Sequence, residues 1–305
     1  MRIRYLGTAA AEGWPALFCR CEACRKAASL GGKNIRTRAQ AVIDDRILMD
    51  LGPDTYLHML HQGLDLPAIH TLLVTHAHQD HWYPLELLLR GEPYAHEAPE
   101  TTLTAYGCAE VKALFDWAAA QNDSPNFDRT VAFGEAREFE TFSVEDGYRV
   151  TPLLARHNPK EKCLLYLIEK DGKTIFYGND SGLYPEETWE YLKGKSIDLV
   201  SFDCTNVLHP DGSYHMGIPA AMEARERLLR QGSCHADSLY VLTHFSHNGK
   251  LMHEEIKEIA IEGTEMVKKY MDGFDGEVIL EYSPESFTGT ELDFALDICT
   301  AVQDT

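Results

Sequence analysis

No run of apolar residues in this chain approaches the roughly 20 residues that a membrane-spanning helix requires. The first seven residues read as a β-strand rather than as a signal peptide. The sequence therefore predicts a cytoplasmic protein without a membrane segment.

Positive charge is scarce, because 28 lysines and arginines stand against 48 acidic residues and give a net charge of −20. Such a surplus repels long nucleic acids unless basic residues are concentrated locally, and the only short basic region lies around Arg36 and Arg38. We therefore expect a small-molecule substrate and no long nucleic acid as a partner.

Cysteine is also sparse for a secreted disulfide framework, with eight residues in a chain of 305. Three of them are crowded into a Cys-x-Cys-x-x-Cys motif, formed by Cys19, Cys21 and Cys24. This spacing on a loop favours a structural zinc site with three thiolates and one histidine. The alternative is three reduced, buried cysteines.

The chain is long enough, at 305 residues with 44% hydrophobic, to bury a substantial core. Strands alternate with helices, among them a helix over residues 54–62 with Tyr56, Leu57 and Leu60 on one face and a closing strand over residues 278–282. This pattern predicts an α/β layered protein with a single domain over residues 1–305. We expect a substrate-covering insertion near residues 94–147, where the pattern weakens.

A short apolar strand over residues 71–74 ends in the sequence His-Ala-His-Gln-Asp-His at positions 76–81. Its potential ligands, His76, His78, Asp80 and His81, suit zinc, manganese or iron, and one such turn can supply two neighbouring ions. The alternative is a solvated polar loop. Further candidate ligands follow other predicted strands, namely His157, Asp180 and His244.

The order of these residues resembles that of the metallo-β-lactamase superfamily. The resemblance implies an αβ/βα sandwich of the metallo-β-lactamase type with a dinuclear metal site between its sheets. By this resemblance, His76, His78 and His157 hold one ion, Asp80, His81 and His244 hold the other, and Asp180 bridges them. Asp50 stands where the family often has a carboxylate that orients a ligand histidine.

The cysteine motif beside this turn is similar to that of one branch of the superfamily, the phosphoribosyl cyclic phosphodiesterases of the phosphonate (carbon–phosphorus lyase) pathway. The resemblance implies His247 as the fourth ligand of the structural zinc, although a catalytic role for His247 stays open. It also covers the segments around Asp203 and His215. We expect Asp203 to be a further outer carboxylate and His215 to be the general acid, with Asp80 also in the catalytic centre. The alternative for His215 is a cap on the helix that starts near Pro219.

The resemblance implies a hydrolase with two divalent ions, zinc or manganese, and one structural zinc. The favoured function is a phosphodiesterase that cleaves a small cyclic phosphate by attack of a metal-bound hydroxide. A lactone or thioester hydrolase on the same site is the first alternative. A nuclease acting on tRNA precursors and a non-hydrolytic relative in quinone-cofactor biosynthesis are less favoured, and a homodimer is possible in this superfamily.

Overall fold

Two β-sheets organise the structure, a computed structural model that describes residues 1–96, 101–256 and 258. Within these residues each sheet has six strands, which lie side by side in chain order. The first sheet comprises β1 (Ile3–Gly7), β2 (Gln40–Ile43), β3 (Ile47–Met49), β4 (Thr71–Leu73), β5 (Leu103–Gly107) and β6 (Val131–Glu135). The second comprises β7 (Phe142–Ser143), β8 (Arg149–Leu154), β9 (Leu164–Lys170), β10 (Lys173–Gly178), β11 (Ile197–Asp203) and β12 (Cys234–Thr243).

Both sheets are antiparallel at one side and parallel at the other. Strands β3 to β6 are parallel to one another, and so are β10 to β12. Helices connect most of these parallel strands, as crossover connections require. The helices of the described residues are α1 (Glu22–Leu30), α2 (Thr55–Gln62), α3 (Ala109–Ala119), α4 (Phe127–Thr130), α5 (Glu186–Leu192) and α6 (Ile218–Arg230). Because parallel strands end at the same edge, the loops that follow them meet there.

The core lies on both faces of the second sheet, as strand β9 illustrates. Leu164, Tyr166 and Ile168 pack into the cluster shared with the first sheet. Leu165 and Leu167 point the other way, into a cluster with residues of α5 and α6. A strand that is apolar on both faces needs a layer of secondary structure packed on each side of its sheet. The layers are therefore stacked in the order helices, first sheet, second sheet, helices. The predicted αβ/βα sandwich is confirmed.

The segment 94–147, for which the sequence predicts a substrate-covering insertion, is described at residues 94–96 and 101–147. Strands β5 and β6 extend the first sheet in parallel register, and β7 begins the second sheet. Helix α3 connects β5 to β6 and buries Val111 and Phe115 in the core. The described strands and helix of this segment are therefore part of the sandwich.

Helix α2 forms where the sequence predicts a helix, but it packs through other residues. Tyr56, Leu57 and Leu60 are 60%, 42% and 53% exposed, whereas Thr55 and His58 are buried. None of the helices in the described part of the chain has the length and apolar character needed to cross a membrane. The predicted strand over residues 278–282 lies outside the described residues.

Candidate metal centre

The candidate ligands lie in loops that follow strand ends of both sheets. The turn at residues 76–81 follows β4 of the first sheet, whereas His157, Asp180 and His244 follow β8, β10 and β12 of the second. The structure brings these residues together at one edge of the sandwich, in two groups that share Asp180.

The first group contains His76, His78, His157 and Asp180, all buried or partly buried. Nδ1 of His78 lies 2.9 Å from Nε2 of His76 and 3.1 Å from Nε2 of His157. Oδ2 of Asp180 lies 3.4 Å from Nε2 of His76. Three imidazole nitrogens and one carboxylate oxygen thus converge on one point.

The second group contains Asp80, His81, Asp180 and His244, all of them buried. Nε2 of His81 lies 3.0 Å from Oδ2 of Asp80 and 3.1 Å from Oδ2 of Asp180. Nε2 of His244 lies 3.6 Å from the same oxygen of Asp180. That oxygen therefore stands between the two groups.

Unsatisfied polar atoms test whether these groups fit metal ions. Nε2 of His81 and Nε2 of His244, both buried and both facing Asp180, have no hydrogen-bond partner among the described residues. Such atoms are costly in a protein interior unless something compensates them. Nitrogen and carboxylate oxygen are suitable ligands for zinc or manganese, so the donor set fits two divalent cations.

The protonation states of the groups also suit a cation. Burial lowers the pKa of His76 well below its usual value and also lowers the pKa of His157, so both rings are neutral bases. Burial opposes ionisation of Asp180, but the nearby His244, His215 and His81 outweigh it and hold the pKa of Asp180 well below its usual value. The carboxylate is therefore ionised at neutral pH.

Hydrogen bonds on the outer side of the ligand rings fix which nitrogen faces inward. Nδ1–H of His81 donates to Oδ2 of Asp50 at 2.8 Å. Nδ1–H of His76 donates to the hydroxyl of Thr75 at 3.0 Å. Nδ1–H of His244 donates to the hydroxyl of Thr205 at 2.7 Å. In each ring Nε2 is therefore the nitrogen that faces the centre.

Three residues of the centre have left-handed backbone conformations. The φ angles of Asp50, Asp180 and His244 are 64°, 59° and 65°. This conformation is unfavourable for residues other than glycine and persists only where the surrounding structure imposes it. Each of the three lies just after a strand of the parallel part of its sheet, where the chain turns to direct its side chain inward.

His215 lies beside both groups and is held by two carboxylates. Its Nδ1–H donates to Oδ2 of Asp203 at 2.9 Å, and Oδ1 of Asp180 lies 3.0 Å from the same nitrogen. Burial opposes the charge, but these carboxylates outweigh it and raise the pKa of His215 to about 11. Gly217 is the N-cap of α6 and no side chain caps that helix, so the alternative of His215 as a helix cap is wrong.

The cysteine motif forms a separate cluster with His247. Nδ1 of His247 lies 3.7, 3.6 and 3.3 Å from the sulfurs of Cys19, Cys21 and Cys24. Hydrogen bonds, first from the backbone of Cys24 and then from His247, lower the pKa of Cys21 to about 6, which favours the thiolate that zinc binds. The structure thus places His247 with the cysteines and outside both groups of the metal centre.

Two contacts of the centre were not foreseen from the sequence. Glu161 and Asn158 both approach the imidazole of His78, at 3.2 and 3.1 Å from Nε2. The only signal in the sequence is their position shortly after His157. Thr75 and Thr205 were also missed, although Thr75 directly precedes the first ligand.

Comparisons with known proteins identify the family and the fold. A family model for the "Beta-lactamase superfamily domain" matches residues 45–245. A solved structure of a diphosphatase from the PhnP family is similar at a TM-score of 0.64 and 20% identity, over 84% of this chain and 90% of its own. Zinc-bound PqqB from Methylobacterium extorquens is similar at a TM-score of 0.64 and 20% identity, over 86% of this chain and 95% of its own. At such identity the likeness shows the fold alone.

A different likeness appears among curated proteins. The 2-isopropylmalate synthase of Desulfitobacterium hafniense (strain Y51) is 54% identical over 55 residues, which make up 18% of this chain and 10% of the synthase. The chain thus spans about a tenth of the length of the curated relatives it matches. A match of this length does not carry the activity of the whole synthase to this chain.

Proposed function

The chain belongs to the metallo-β-lactamase superfamily of metal-dependent hydrolases, and from that premise we propose that it is a phosphodiesterase acting on a small, cyclic phosphate. The observation that carries the proposal is the position of His215, which is held by Asp203 directly beside the shared ligand Asp180. A phosphodiester expels an alkoxide, a poor leaving group, and a proton donor at this place assists its departure.

We infer two divalent ions, zinc or manganese, in the centre. His76, His78 and His157 would hold one ion, Asp80, His81 and His244 the other, with Asp180 contributing to both. When bound, two such ions supply Lewis acidity, which polarises a phosphoryl oxygen and lowers the pKa of water. Asp50 and the two threonines keep the ligand rings in the tautomer that metal binding requires.

His215 supplies the proton in this proposal. Because Asp203 takes up Nδ1–H, Nε2 is the atom of the ring that is available to a substrate. The side chain is 26% exposed, in contrast to the buried ligands around it, so a substrate has access to it. Asp203 is fully buried and fixes the orientation of the ring, and Thr205 N–H in turn donates to Asp203 at 2.9 Å.

A small substrate fits the charge of the chain. The net charge of −20 disfavours a long polyanion, whereas a single phosphodiester carries one negative charge and meets two cations when the centre is loaded. The alternative of a thioester hydrolase uses the same ligands but releases a thiolate, which needs no proton donor. A lactone expels an alkoxide, as a phosphodiester does, so substrate assays separate these two classes. The complete ligand set argues against the non-hydrolytic alternative in quinone-cofactor biosynthesis.

The test is hydrolysis of bis(p-nitrophenyl) phosphate, followed by ribose cyclic phosphates, with the protein loaded separately with zinc and manganese. His76→Ala is the blank, and His209→Ala is the matched control because His209 is an exposed histidine in the same loop as His215. On the cyclic phosphates, whose leaving groups are basic, we expect His215→Ala to lose about 10²–10⁴-fold in kcat with its metal content unchanged.

Two results would count against the proposal. Equal rates for His215→Ala and His209→Ala on ribose cyclic phosphates would show that His215 is not the proton donor. If neither the zinc-loaded nor the manganese-loaded protein hydrolyses a phosphodiester although the ions are bound, lactones or thioesters are favoured as substrates.

A further inference from the structure

His78 differs from the other ligand histidines in its exposure. Its side chain is 40% exposed, whereas those of His76, His81 and His244 are 1%, 1% and 2% exposed. Packing therefore immobilises the other rings but contributes little to the orientation of this one. A ligand in such a position depends on hydrogen bonds to keep one nitrogen directed at the metal.

The hydrogen-bond pattern of His78 is reversed relative to its neighbours. Nδ1 is the atom that converges with Nε2 of His76 and Nε2 of His157. The proton must then reside on Nε2, since a ligand nitrogen needs its lone pair. Oε1 of Glu161 lies 3.2 Å from that Nε2 and is an acceptor in the correct position.

The carboxylate of Glu161 is anchored by further contacts. Oε2 accepts the backbone N–H of Ala77 at 3.2 Å, and Oε1 accepts Nδ2–H of Asn158 at 2.8 Å. Nδ2 of Asn158 also lies 3.1 Å from Nε2 of His78, within hydrogen-bond distance. Once Nε2 carries the proton, as metal binding through Nδ1 requires, these two N–H groups cannot bond to each other, and Oε1 of Glu161 is the acceptor within reach of both. The Glu161 side chain is only 9% exposed, so these contacts are shielded from bulk water.

Glu161 thus contacts the ligand turn at two successive residues. One oxygen holds the ring of His78, and the other holds the backbone directly before it. Within the described residues, no lysine or arginine lies in ion-pair range of this carboxylate, and the ring of His78 is its nearest titratable partner. Burying a carboxylate without a lysine or arginine partner costs free energy of folding unless hydrogen bonds compensate for the lost hydration.

We propose that Glu161 is a positioning residue of the metal centre, which accepts the Nε2 proton of His78 and thereby directs Nδ1 at the ion shared with His76 and His157. The inference rests on the proposed function, because it presupposes that this group of ligands binds a metal. Loss of Glu161 leaves the most exposed ligand free to rotate and to exchange its tautomer. The ion of the first group is then bound more weakly, while the ion of the second group is unaffected.

The test compares zinc release from the loaded wild-type protein, Glu161→Ala, Glu161→Gln and Glu138→Ala. Each protein is equilibrated with chelator buffers of stepped free Zn²⁺, and the zinc bound per chain is counted by atomic emission. Glu138→Ala is the matched control, because Glu138 is a nearby glutamate paired with Lys162 at 2.7 Å and has no contact with a ligand. Circular dichroism checks that each variant is folded.

We expect Glu161→Ala to release one zinc at a free Zn²⁺ concentration about 10–100-fold higher than the wild type, with the other zinc ions unchanged. Glu161→Gln keeps an acceptor oxygen for His78 but places an amide against the N–H of Ala77, so its shift should be smaller. Glu138→Ala should coincide with the wild type. If Glu161→Ala does not fold, the shift of Glu161→Gln relative to Glu138→Ala decides the question.

Two failures are distinguishable in this experiment. If the wild type binds two zinc ions in the centre and neither Glu161 variant releases either of them more readily than the wild type, the role of Glu161 is refuted and the metal centre stands. If the wild type retains only the zinc of the cysteine cluster, the proposed function fails, and the inference fails with it.

Discussion

Lowering the pH from 7 to 4 is expected to destabilise the fold through His58, a buried histidine remote from the candidate ligands in sequence. His58 is 1% exposed. Its Nδ1–H donates to Oε1 of Gln40 at 2.6 Å, and its Nε2 accepts from the hydroxyl of Thr37 at 2.8 Å. The orientation of the Gln40 amide is fixed, because its Nε2 donates to the carbonyl of Asp50 at 2.8 Å. The ring is thus fully bonded in its neutral form.

The magnitude follows from the difference between the folded and the unfolded protein. Burial lowers the pKa of His58 from 6.5 to about 4, although the charge of Asp54 opposes this shift. Between pH 6.5 and pH 4, His58 is therefore protonated in the unfolded chain but mostly neutral in the folded protein. Because the unfolded chain binds the proton more strongly, lowering the pH favours unfolding. The stabilisation that the neutral His58 ring contributes to the free energy of unfolding is fully present above pH 6.5, and it is lost as the pH falls towards 4. A difference of this size corresponds to about 3 kcal/mol of the free energy of unfolding.

The assay is urea unfolding at pH values between 7 and 4 for the wild type, His58→Asn and His61→Asn. The amide introduced by His58→Asn retains a donor towards Gln40 but does not titrate, and His61 is an exposed histidine on the same helix. Other titrating groups contribute equally to all three proteins, so they cancel in the differences. The stability advantage of the wild type over His58→Asn should shrink by about 3 kcal/mol between pH 7 and pH 4. An advantage that stays constant over this range would refute the reasoning.

Three further outcomes are expected. A Cβ at Gly52 would lie 2.0 Å from the carbonyl oxygen of Asp80, so Gly52→Ala should lower the free energy of unfolding by about 1–3 kcal/mol or more in urea titrations, and an unchanged midpoint would contradict the packing. Asp50→Asn places an amide against Nδ1 of His81, so it should weaken metal binding about 10–100-fold in chelator competition, with undiminished affinity as the contrary result. Cys24→Ser should reduce the metal content by one zinc per chain while the active-site ions remain, and retention of every zinc by atomic emission would argue against the cysteine cluster as a metal site.

The ligand turn was predictable because its chemistry is local in the sequence. Residues 76–81 place four candidate metal ligands within six positions directly after a short apolar strand. The three other candidate metal ligands also follow strands. Strand ends meet at one edge of the fold, so their side chains converge without further information. The cysteine motif was equally visible, and its histidine partner followed from the resemblance.

The supporting contacts were not predictable, because they join residues far apart in the sequence. Glu161 lies 84 residues from Ala77, whose N–H it accepts, and no periodicity marks it. Helix α2 shows a second limit, since its apolar residues suggested the packing face and yet Thr55 and His58 are the buried ones. Its contact with the sheet is a hydrogen-bonded network, which hydrophobic patterning does not detect.

The segment 94–147 has a weak sequence pattern for a related reason. Strand β5 alternates between buried and partly buried residues, and β6 has only one buried residue among five. Their place in the first sheet depends on parallel pairing with each other and with β4, which is non-local. The weak pattern therefore coincides with strands near the edge of a sheet, and a substrate-covering role of this segment stays a prediction.

Cys24 leaves the ribosome 223 residues before His247, its partner across the cysteine cluster. At about 5–20 residues per second, synthesis of that stretch takes roughly 10–45 s. During this time His247 is not available to the three thiols, and Asp80 and His81 similarly await His244. The cysteine cluster and the second group are completed only by the few residues after β12, whereas the first group is complete in the chain once Asp180 has been synthesised.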